Sequence, residues 1–221
     1  MSENIAIDGP AGAGKSTIAK KLAKELGFIY VDTGAMYRAM AIYFLDQGIA
    51  STQADEIEVA CTKAEVSIAY EQGDQQVILN GVNVTNRLRE EAVGNMASVS
   101  STYPKVRVKL MELQRILAHK SDVVMDGRDI GTAVLPQAQT KIYLTADAKV
   151  RARRRYLELQ EKGIKGNIED IKADINERDY RDMNRDVSPL KQATDAYLID
   201  SSELSIDEVV DKIIKIYQRK A

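Results

Sequence analysis

The sequence is poor in the residues that build disulfides, histidine-based metal sites and catalytic triads. Its 221 residues include one cysteine, Cys61, one histidine, His119, and no tryptophan. A single cysteine excludes a disulfide framework and a multi-cysteine zinc site, and a single histidine argues against histidine-based metal sites and triads. We expect Cys61 to be a small structural side chain and His119 to be a solvated residue near the end of a helix.

The chain also lacks a charge excess of one sign and any long apolar run. Charged residues make up 29% of it, yet the formal net charge is −2, and aromatic residues reach only 5%. A global basic field and the stacking surfaces typical of nucleic-acid binding are therefore missing. No apolar run approaches the ~18 residues of a membrane span, and residues 1–4 lead into a strand without a secretory signal. These absences predict a soluble cytoplasmic protein with neither a nucleic-acid nor a membrane partner.

What the sequence does contain is an alternation of short apolar runs with longer amphipathic segments. The runs predict buried parallel strands at 5–7, 28–31, 122–126, 141–144 and 196–199. Helices are predicted at 15–26, 35–47, 52–64, 87–101, 104–118, 147–162, 168–184 and 205–218. This order predicts an α/β fold, a doubly wound five-stranded parallel sheet with helices on both faces.

One segment departs from that alternation. Short strand patterns at 66–70, 76–79 and 82–84 are separated by Gly73-Asp74 and by Asn80-Gly81, the second a strong hairpin signal. We predict a small three-stranded antiparallel insert within the α/β chain.

A glycine-rich loop between the first strand and the first helix predicts a phosphate site. Its residues, Gly9, Pro10, Ala11, Gly12, Ala13, Gly14, Lys15 and Ser16, match G-x-x-x-x-G-K-[ST], and Thr17 follows. In such a loop the backbone N–H groups and the helix N-terminus surround phosphate oxygens. Lys15 would reach the β- and γ-phosphates, and Ser16 would offer its hydroxyl to Mg²⁺. The loop predicts binding of a nucleoside triphosphate, with ATP as the expected donor.

Other motifs narrow the class of P-loop protein. The D-x-x-G and N-K-x-D patterns of GTPases are absent, and the strand at 122–126 leads into Gly127-Arg128-Asp129 where motors and helicases carry an acidic pair. A small-molecule kinase must hold two polyanions in line, so it needs arginines beyond the loop lysine. They are present as Arg38, Arg128, Arg151, Arg153, Arg154, Arg155, Arg178, Arg181 and Arg185.

Seven segments together give the chain a specific resemblance. They are IDGPAGAGKST at 7–17, DTGAMYR at 32–38, the insert at 66–84, YPKVR at 103–107, MDGRDIGT at 125–132, LQEKG at 159–163 and ERDYRDMNRD at 177–186. The chain resembles the bacterial cytidylate kinases of the nucleoside monophosphate kinase group over nearly its whole length. The insert and the DGRD segment discriminate most, because adenylate kinases lack the insert.

The resemblance implies transfer of a phosphoryl group from ATP to CMP or dCMP, and it implies roles for particular residues. Acceptor-binding residues would be Thr33, Tyr37, Arg38, Ser98, Arg107, Arg128, Asp129, Arg178, Asp182 and Arg185. Of these, Ser98, Arg107 and Asp129 would read the cytosine edge, and Arg178 and Asp182 would hold the ribose hydroxyls. Residues near the transferring group would be Lys15, Arg128, Arg154, Arg155 and Arg185, with Arg151 near the donor. Asp126 and Asp129 could assist Mg²⁺ through water.

The resemblance also implies a single kinase domain over residues 1–221. Its core would be 1–33, 105–150 and 186–221, its acceptor-binding region about 34–104, and its lid about 151–168, followed by a charged helix to 185. A monomer is expected on the same ground. The family often has serine where this chain has Ala11, so a side-chain hydrogen bond there would be absent or replaced by a backbone contact.

Two other functions stay open at this stage. One is a kinase for another small acceptor, such as UMP, AMP or shikimate. The other is a P-loop protein that senses nucleotides or binds RNA, using residues 151–155 as a basic patch.

Overall fold

The computed structural model describes residues 2–161 and 163–219. Within them the chain divides into two compact units. The first unit comprises the described residues up to Tyr30 and from Ser121 onward, and the second comprises Val31–Lys120. The helical residues Pro104–Lys120 therefore belong to the second unit. Lys162, the last residue of the predicted helix 147–162 and part of the predicted lid, lies outside the described residues.

The first unit is built on a five-stranded sheet, except that Val31 and Asp32, the last two residues of one strand, belong to the second unit. Its strands are β1 (Asn4–Asp8), β2 (Ile29–Asp32), β6 (Val123–Gly127), β7 (Thr140–Thr145) and β8 (Tyr197–Asp200), in the order β2-β6-β1-β7-β8. β1 pairs in parallel with both β6 and β7, and β7 pairs in parallel with β8. This confirms the predicted parallel sheet. Each strand lies within about two residues of its predicted position, because buried apolar runs mark parallel strands clearly.

Helices α1 (Lys15–Leu26), α6 (Ala148–Glu161), α7 (Ile168–Asn184) and α8 (Ile206–Gln218) complete this unit. The core lies between the sheet and the helices α1 and α8. Its buried members include Ile5, Ile7, Ile18, Leu22, Val124, Ile142, Leu144, Ile199, Val209 and Ile213. A π-helical segment, Ile130–Val134, follows β6 and was not predicted. Gly27, at φ +72°, ends α1 as predicted.

The second unit contains the antiparallel insert and the remaining helices. Its strands are β3 (Val66–Glu71), β4 (Asp74–Leu79) and β5 (Val82–Asn83), and its helices are α2 (Thr33–Asp46), α3 (Ala54–Ala60), α4 (Glu91–Ser100) and α5 (Pro104–Lys120). The sheet order β3-β4-β5 confirms the predicted insert, and Asn80 and Gly81 turn with φ +48° and +79°. The predicted helices 52–64 and 87–101 are too long: a 3₁₀ turn occupies 61–63, and α4 begins only at Glu91, after a 3₁₀ turn at 85–87 and three non-helical residues.

The two scarce residues behave as expected. Cys61 is buried at 1% exposure and burial raises the pKa of its thiol, whereas His119 is exposed in the last turn of α5. Over the described part of the chain, no helix has the length and apolar character needed to cross a membrane.

Candidate active site

The phosphate loop has the strand–loop–helix setting that its motif requires. It leaves β1 after Asp8 and enters α1 at Lys15, with positive φ at Gly9 (+151°), Gly12 (+74°) and Gly14 (+88°). A Cβ on Gly9 would lie 1.9 Å from the carbonyl oxygen of Leu144 on β7. The glycines are therefore required both by backbone angles and by the close approach of a neighbouring strand.

Lys15 is the cationic side chain of this loop, and its surroundings shift its pKa strongly. Its side chain donates from Nζ to the carbonyl oxygen of Pro10 at 2.8 Å, and the residue is only 6% exposed. The pKa of Lys15 is lowered to about 7, first by burial and then by the charge of Arg128, against the opposing charges of Asp126 and Asp182. A lysine held this way is a buried cation whose charge an arriving polyanion would stabilise.

Ser16 lies beside a carboxylate at the end of the adjacent strand. Its Oγ donates to Asp126 Oδ2 at 3.1 Å, while the Tyr30 hydroxyl donates to Asp126 Oδ1 at 2.9 Å. Asp126 is 4% exposed on β6. The pair places a hydroxyl and a carboxylate, both hard oxygen ligands, at the start of α1.

Asp8 joins the phosphate loop to the DGRD segment. β1 and β6 run parallel with Asp8 opposite Gly127, so the segments that follow them leave the same edge of the sheet. The Asp8 carboxylate accepts hydrogen bonds from the backbone N–H groups of Ile130 and Gly131, both at 2.7 Å. Burial raises the pKa of Asp8 to about 6, although these two hydrogen bonds oppose the rise. Asp8 thus fixes the backbone just beyond Arg128 and Asp129.

Four of the residues expected to bind the acceptor form one network in the first unit. Arg128 Nε donates to Asp182 Oδ2 at 2.7 Å, and Arg185 Nη2 lies 3.3 Å from Asp129 Oδ1. Arg185 Nη1 is also 3.9 Å from Asp182 Oδ1. The Arg185 side chain is 6% exposed. Arg178, one turn before Asp182, lies 3.7 Å from Asp174 through Nη1. The network links α7 and the chain after it to the end of β6.

The arginines of α6 have different surroundings. Arg151 is buried and donates to Ala146 O, Ala11 O and Asp179 Oδ2. Arg154 donates to the backbone oxygen and the hydroxyl of Ser201 at 2.7 and 3.1 Å, and a Cβ on Gly14 would lie 3.9 Å from its Nη1. Arg155 forms an exposed ion pair with Glu158. Arg151 and Arg154 therefore lie against the phosphate loop.

The other expected acceptor residues lie in the second unit. Asp32 caps α2 by accepting from Ala35 N at 3.0 Å, and Thr33, Tyr37 and Arg38 occupy the first two turns of that helix. The Arg107 guanidinium carbon lies 5.7 Å from the centroid of the Tyr37 ring, a cation–π distance. Arg107 is 1% exposed.

Ser98 is connected to Arg107 through one neighbour. Ser101 donates from Oγ to Ser98 O at 3.1 Å and accepts at its own carbonyl from Arg107 Nη1 at 3.2 Å. The structure thus brings Arg107 of α5 against Tyr37 of α2 and links it, through Ser101, to the Ser98 backbone carbonyl on α4.

Several residues of this arrangement were not found by sequence reasoning. Asp8 and Asp179 anchor the two loops of the first unit, and Gln75 of the insert holds the Asp32 backbone by two hydrogen bonds of 2.8 and 3.3 Å. Asp8, adjacent to the glycine motif, could have been found from that position. Asp179 lies in the segment 177–186 and Gln75 in the insert, but neither pattern assigns these residues a role, because each acts through contacts between segments distant in sequence.

The fold and the loop together define the class: an α/β P-loop protein with the architecture of small-molecule kinases. Solved structures agree on the fold. A shikimate kinase from Acinetobacter baumannii superposes with a TM-score of 0.51 at 16% identity, covering 99% of this chain and 94% of its own. A sugar kinase from Janibacter sp. HTCC2649 gives 0.50 at 13% identity over 100% and 96%.

Sequence comparison then gives the family. The family profile described as "Cytidylate kinase" matches residues 5–219. Proteins named cytidylate kinase from Desulfitobacterium hafniense and Caldicellulosiruptor saccharolyticus are 49% and 47% identical over 98% of this chain, covering 93% and 96% of their own. The chain belongs to the cytidylate kinase family. The resemblance seen in the sequence is confirmed.

Proposed function

We propose that this protein transfers the terminal phosphoryl group of ATP to CMP or dCMP, giving ADP and CDP or dCDP. The observation that carries the proposal, alongside the family membership, is that β1 and β6 run parallel, so the phosphate loop with Lys15 and the segment with Arg128 leave the same edge of the sheet. The charge of Arg128 also lowers the pKa of Lys15. Two loops that present cations to a common region suit a reaction between two polyanions.

Different residues would bind the donor and the acceptor. The donor triphosphate would bind the backbone N–H groups of residues 9–17 and Lys15, with Arg154 beside Gly14. The phosphate of the acceptor nucleotide would bind Tyr37, Arg38, Arg128 and Arg185. The ribose of the acceptor would bind Arg178 and Asp182. Its cytosine base would bind Ser98, Arg107 and Asp129, with Thr33 nearby. Arg155 completes the expected cations around the transferring group.

The chemistry needs positioning and charge neutralisation rather than a protein base. The nucleophile is an oxygen of the acceptor phosphate, whose second pKa of about 6 leaves it mostly dianionic at neutral pH. It attacks the γ-phosphorus in line and the bond to the β-phosphate oxygen breaks, so ADP leaves with that electron pair. Lys15 and the arginines would stabilise the charge on the transferring oxygens.

Mg²⁺ fits the same site. The Ser16 hydroxyl and the Asp126 carboxylate are hard oxygen donors 3.1 Å apart, the type that Mg²⁺ prefers, directly or through water. When bound, the ion would neutralise charge on the β- and γ-phosphate oxygens.

A substrate panel tests the proposed function. ADP release from Mg²⁺-ATP should depend on the acceptor and be fastest with CMP or dCMP, well above UMP, AMP and shikimate. Preference for AMP or shikimate, or ADP release that no acceptor stimulates, would contradict it. Salt-dependent RNA binding without CMP-dependent ADP release would instead support the nucleic-acid alternative.

We further propose that the active species is a cytoplasmic monomer. Sedimentation of the active enzyme as a dimer would contradict the monomer.

A further inference from the structure

Arg151, Asp179 and Ala11 form a closed hydrogen-bonded ring in the first unit, here called the Ala11 ring. The Ala11 N–H donates to Asp179 Oδ1 at 3.1 Å, and Arg151 Nη1 donates both to Asp179 Oδ2 at 2.6 Å and to the Ala11 carbonyl oxygen at 2.9 Å. Both backbone polar groups of one loop residue are thereby bound by an ion pair from α6 and α7.

The ion pair is buried, and its helix packs tightly on the loop. The side chains of Arg151 and Asp179 are 8% and 11% exposed. Arg151 is fixed further by its Nε, which donates to Ala146 O at 2.9 Å. A Cβ on Gly12 would lie 3.3 Å from the Arg151 Cβ, so α6 approaches the loop as closely as a glycine permits.

The loop needs such an anchor because its glycines leave the backbone free to adopt many conformations. Donor binding requires several N–H groups to point at the phosphates at once, and ordering them on binding would cost affinity. Ala11 offers no side-chain hydrogen bond. Its backbone is held instead by a pair whose opposite charges cancel, so no net negative charge faces the incoming phosphates.

We infer that Asp179 and Arg151 are positioning residues for the donor: they set the phosphate-loop conformation through Ala11 and thereby set the affinity for ATP. The KM values that test this inference rest on the proposed function, whereas the measured affinity for an ATP analogue does not. This inference also gives Arg151 a role different from that proposed for Arg154 and Arg155, which the family resemblance places at the transferring group.

The experiment compares three variants with the wild type. Asp179→Asn keeps an oxygen for the Ala11 N–H but removes the ion pair. Arg151→Met with Asp179→Leu replaces the buried pair by apolar side chains of similar volume, an exchange that often preserves stability. Glu177→Gln is the matched control, because Glu177 is an exposed carboxylate on the same helix, 3.5 Å from Arg181.

We expect Asp179→Asn and the double variant each to raise the KM for ATP about tenfold, with the KM for CMP within twofold. Calorimetric titration with a non-hydrolysable ATP analogue alone should show the same loss of affinity. Glu177→Gln should match the wild type in all three values. The double variant should regain most of the urea midpoint that Asp179→Asn loses, while its ATP affinity stays low.

A double variant that regains both stability and ATP affinity would overturn the inference, because the pair would then be merely structural. If the double variant does not fold, an unchanged ATP-analogue affinity in Asp179→Asn overturns it equally. A wild type that binds the analogue but shows no CMP-dependent turnover would refute the proposed function and leave the binding comparison intact.

Discussion

Arg128 donates to Asp182 at 2.7 Å, so a side chain expected at the acceptor phosphate is paired with one expected at the ribose. Arg185 lies 3.9 Å from the other oxygen of the same carboxylate. The three residues come from two distant segments and hold one another in place. Substituting any of them would therefore disturb the phosphate and ribose contacts together, and their effects should not add.

Lys15→Met should abolish turnover without unfolding the protein. Because Lys15 neutralises charge on the transferring group, we expect kcat to fall by about 10³-fold or more. Lys24→Met, an exposed lysine of the same helix, is the control and should keep wild-type activity. Steady-state kinetics and circular dichroism check both. Near-normal kcat in Lys15→Met would reject the role.

Donor binding should be coupled to proton uptake above neutral pH. The pKa of Lys15 is about 7 in this structure, and phosphate charges beside it would raise that pKa. At pH 8 the free protein holds Lys15 largely neutral, so binding the ATP analogue should take up close to one proton. Affinity should fall as pH rises above 7.

Calorimetry in buffers of different ionisation enthalpy measures this uptake. Lys15→Met should lose it. An uptake of zero in the wild type, or an equal uptake in the variant, would show that another group or none is responsible.

Arg107→Met should weaken binding of the acceptor CMP and leave binding of the donor ATP unchanged. Arg107 is buried against the Tyr37 ring and, by the family resemblance, reads cytosine N3 and O2, which accept hydrogen bonds. We expect the KM for CMP to rise at least tenfold, with the KM for ATP within about twofold. Arg115→Met, on an exposed position of α5, is the control. Equal effects on both KM values would reject the assignment.

Asp8 should make stability fall as pH rises from about 4 to about 6. Its pKa is 3.8 as an ordinary carboxyl and about 6 here, so between these values the folded state binds more protons than the unfolded state. The contribution of Asp8 to the free energy of unfolding then decreases as the pH rises across that window, and it levels off at higher pH.

Asp8→Asn removes this contribution. Urea unfolding of both proteins at pH 4, 5, 6, 7 and 8 should give a wild-type-minus-variant difference that declines as pH rises through about 6 and levels off above about pH 7. A difference that increases with pH would contradict the raised pKa.

Gly9→Ala should destabilise the fold far more than Gly27→Ala. Both glycines have positive φ, and alanine at such a position costs about 1 kcal/mol or more by itself. At Gly27 no other atom lies within 4 Å of the added Cβ, whereas at Gly9 the Leu144 oxygen is 1.9 Å away. We expect Gly9→Ala to lose more than about 3 kcal/mol in urea unfolding. Equal losses would show that sterics do not matter there.

The sequence by itself determined the sheet, the insert, the phosphate loop and the family. Local sequence patterns predict those features: buried apolar runs, the Asn80-Gly81 turn, and the spacing from Gly9 to Ser16. It also gave the candidate arginines, because a reaction between two polyanions demands them. The helices predicted at 52–64 and 87–101 were too long, since apolar periodicity does not distinguish a helix end from a 3₁₀ turn at 61–63 or from the turn residues before Glu91.

Only the tertiary structure decided how those arginines are used. Arg151 and Arg154 are three positions apart on one helix, yet one is bound to Ala11 and Asp179 and the other to Ser201. Likewise Asp8 and Asp179 lie in motif segments that assign them no role, and their importance comes from the backbone N–H groups that the fold places against them. Hydrogen bonds between segments more than 100 residues apart leave no periodic trace in a sequence, so the parts that position the loops became visible only in three dimensions.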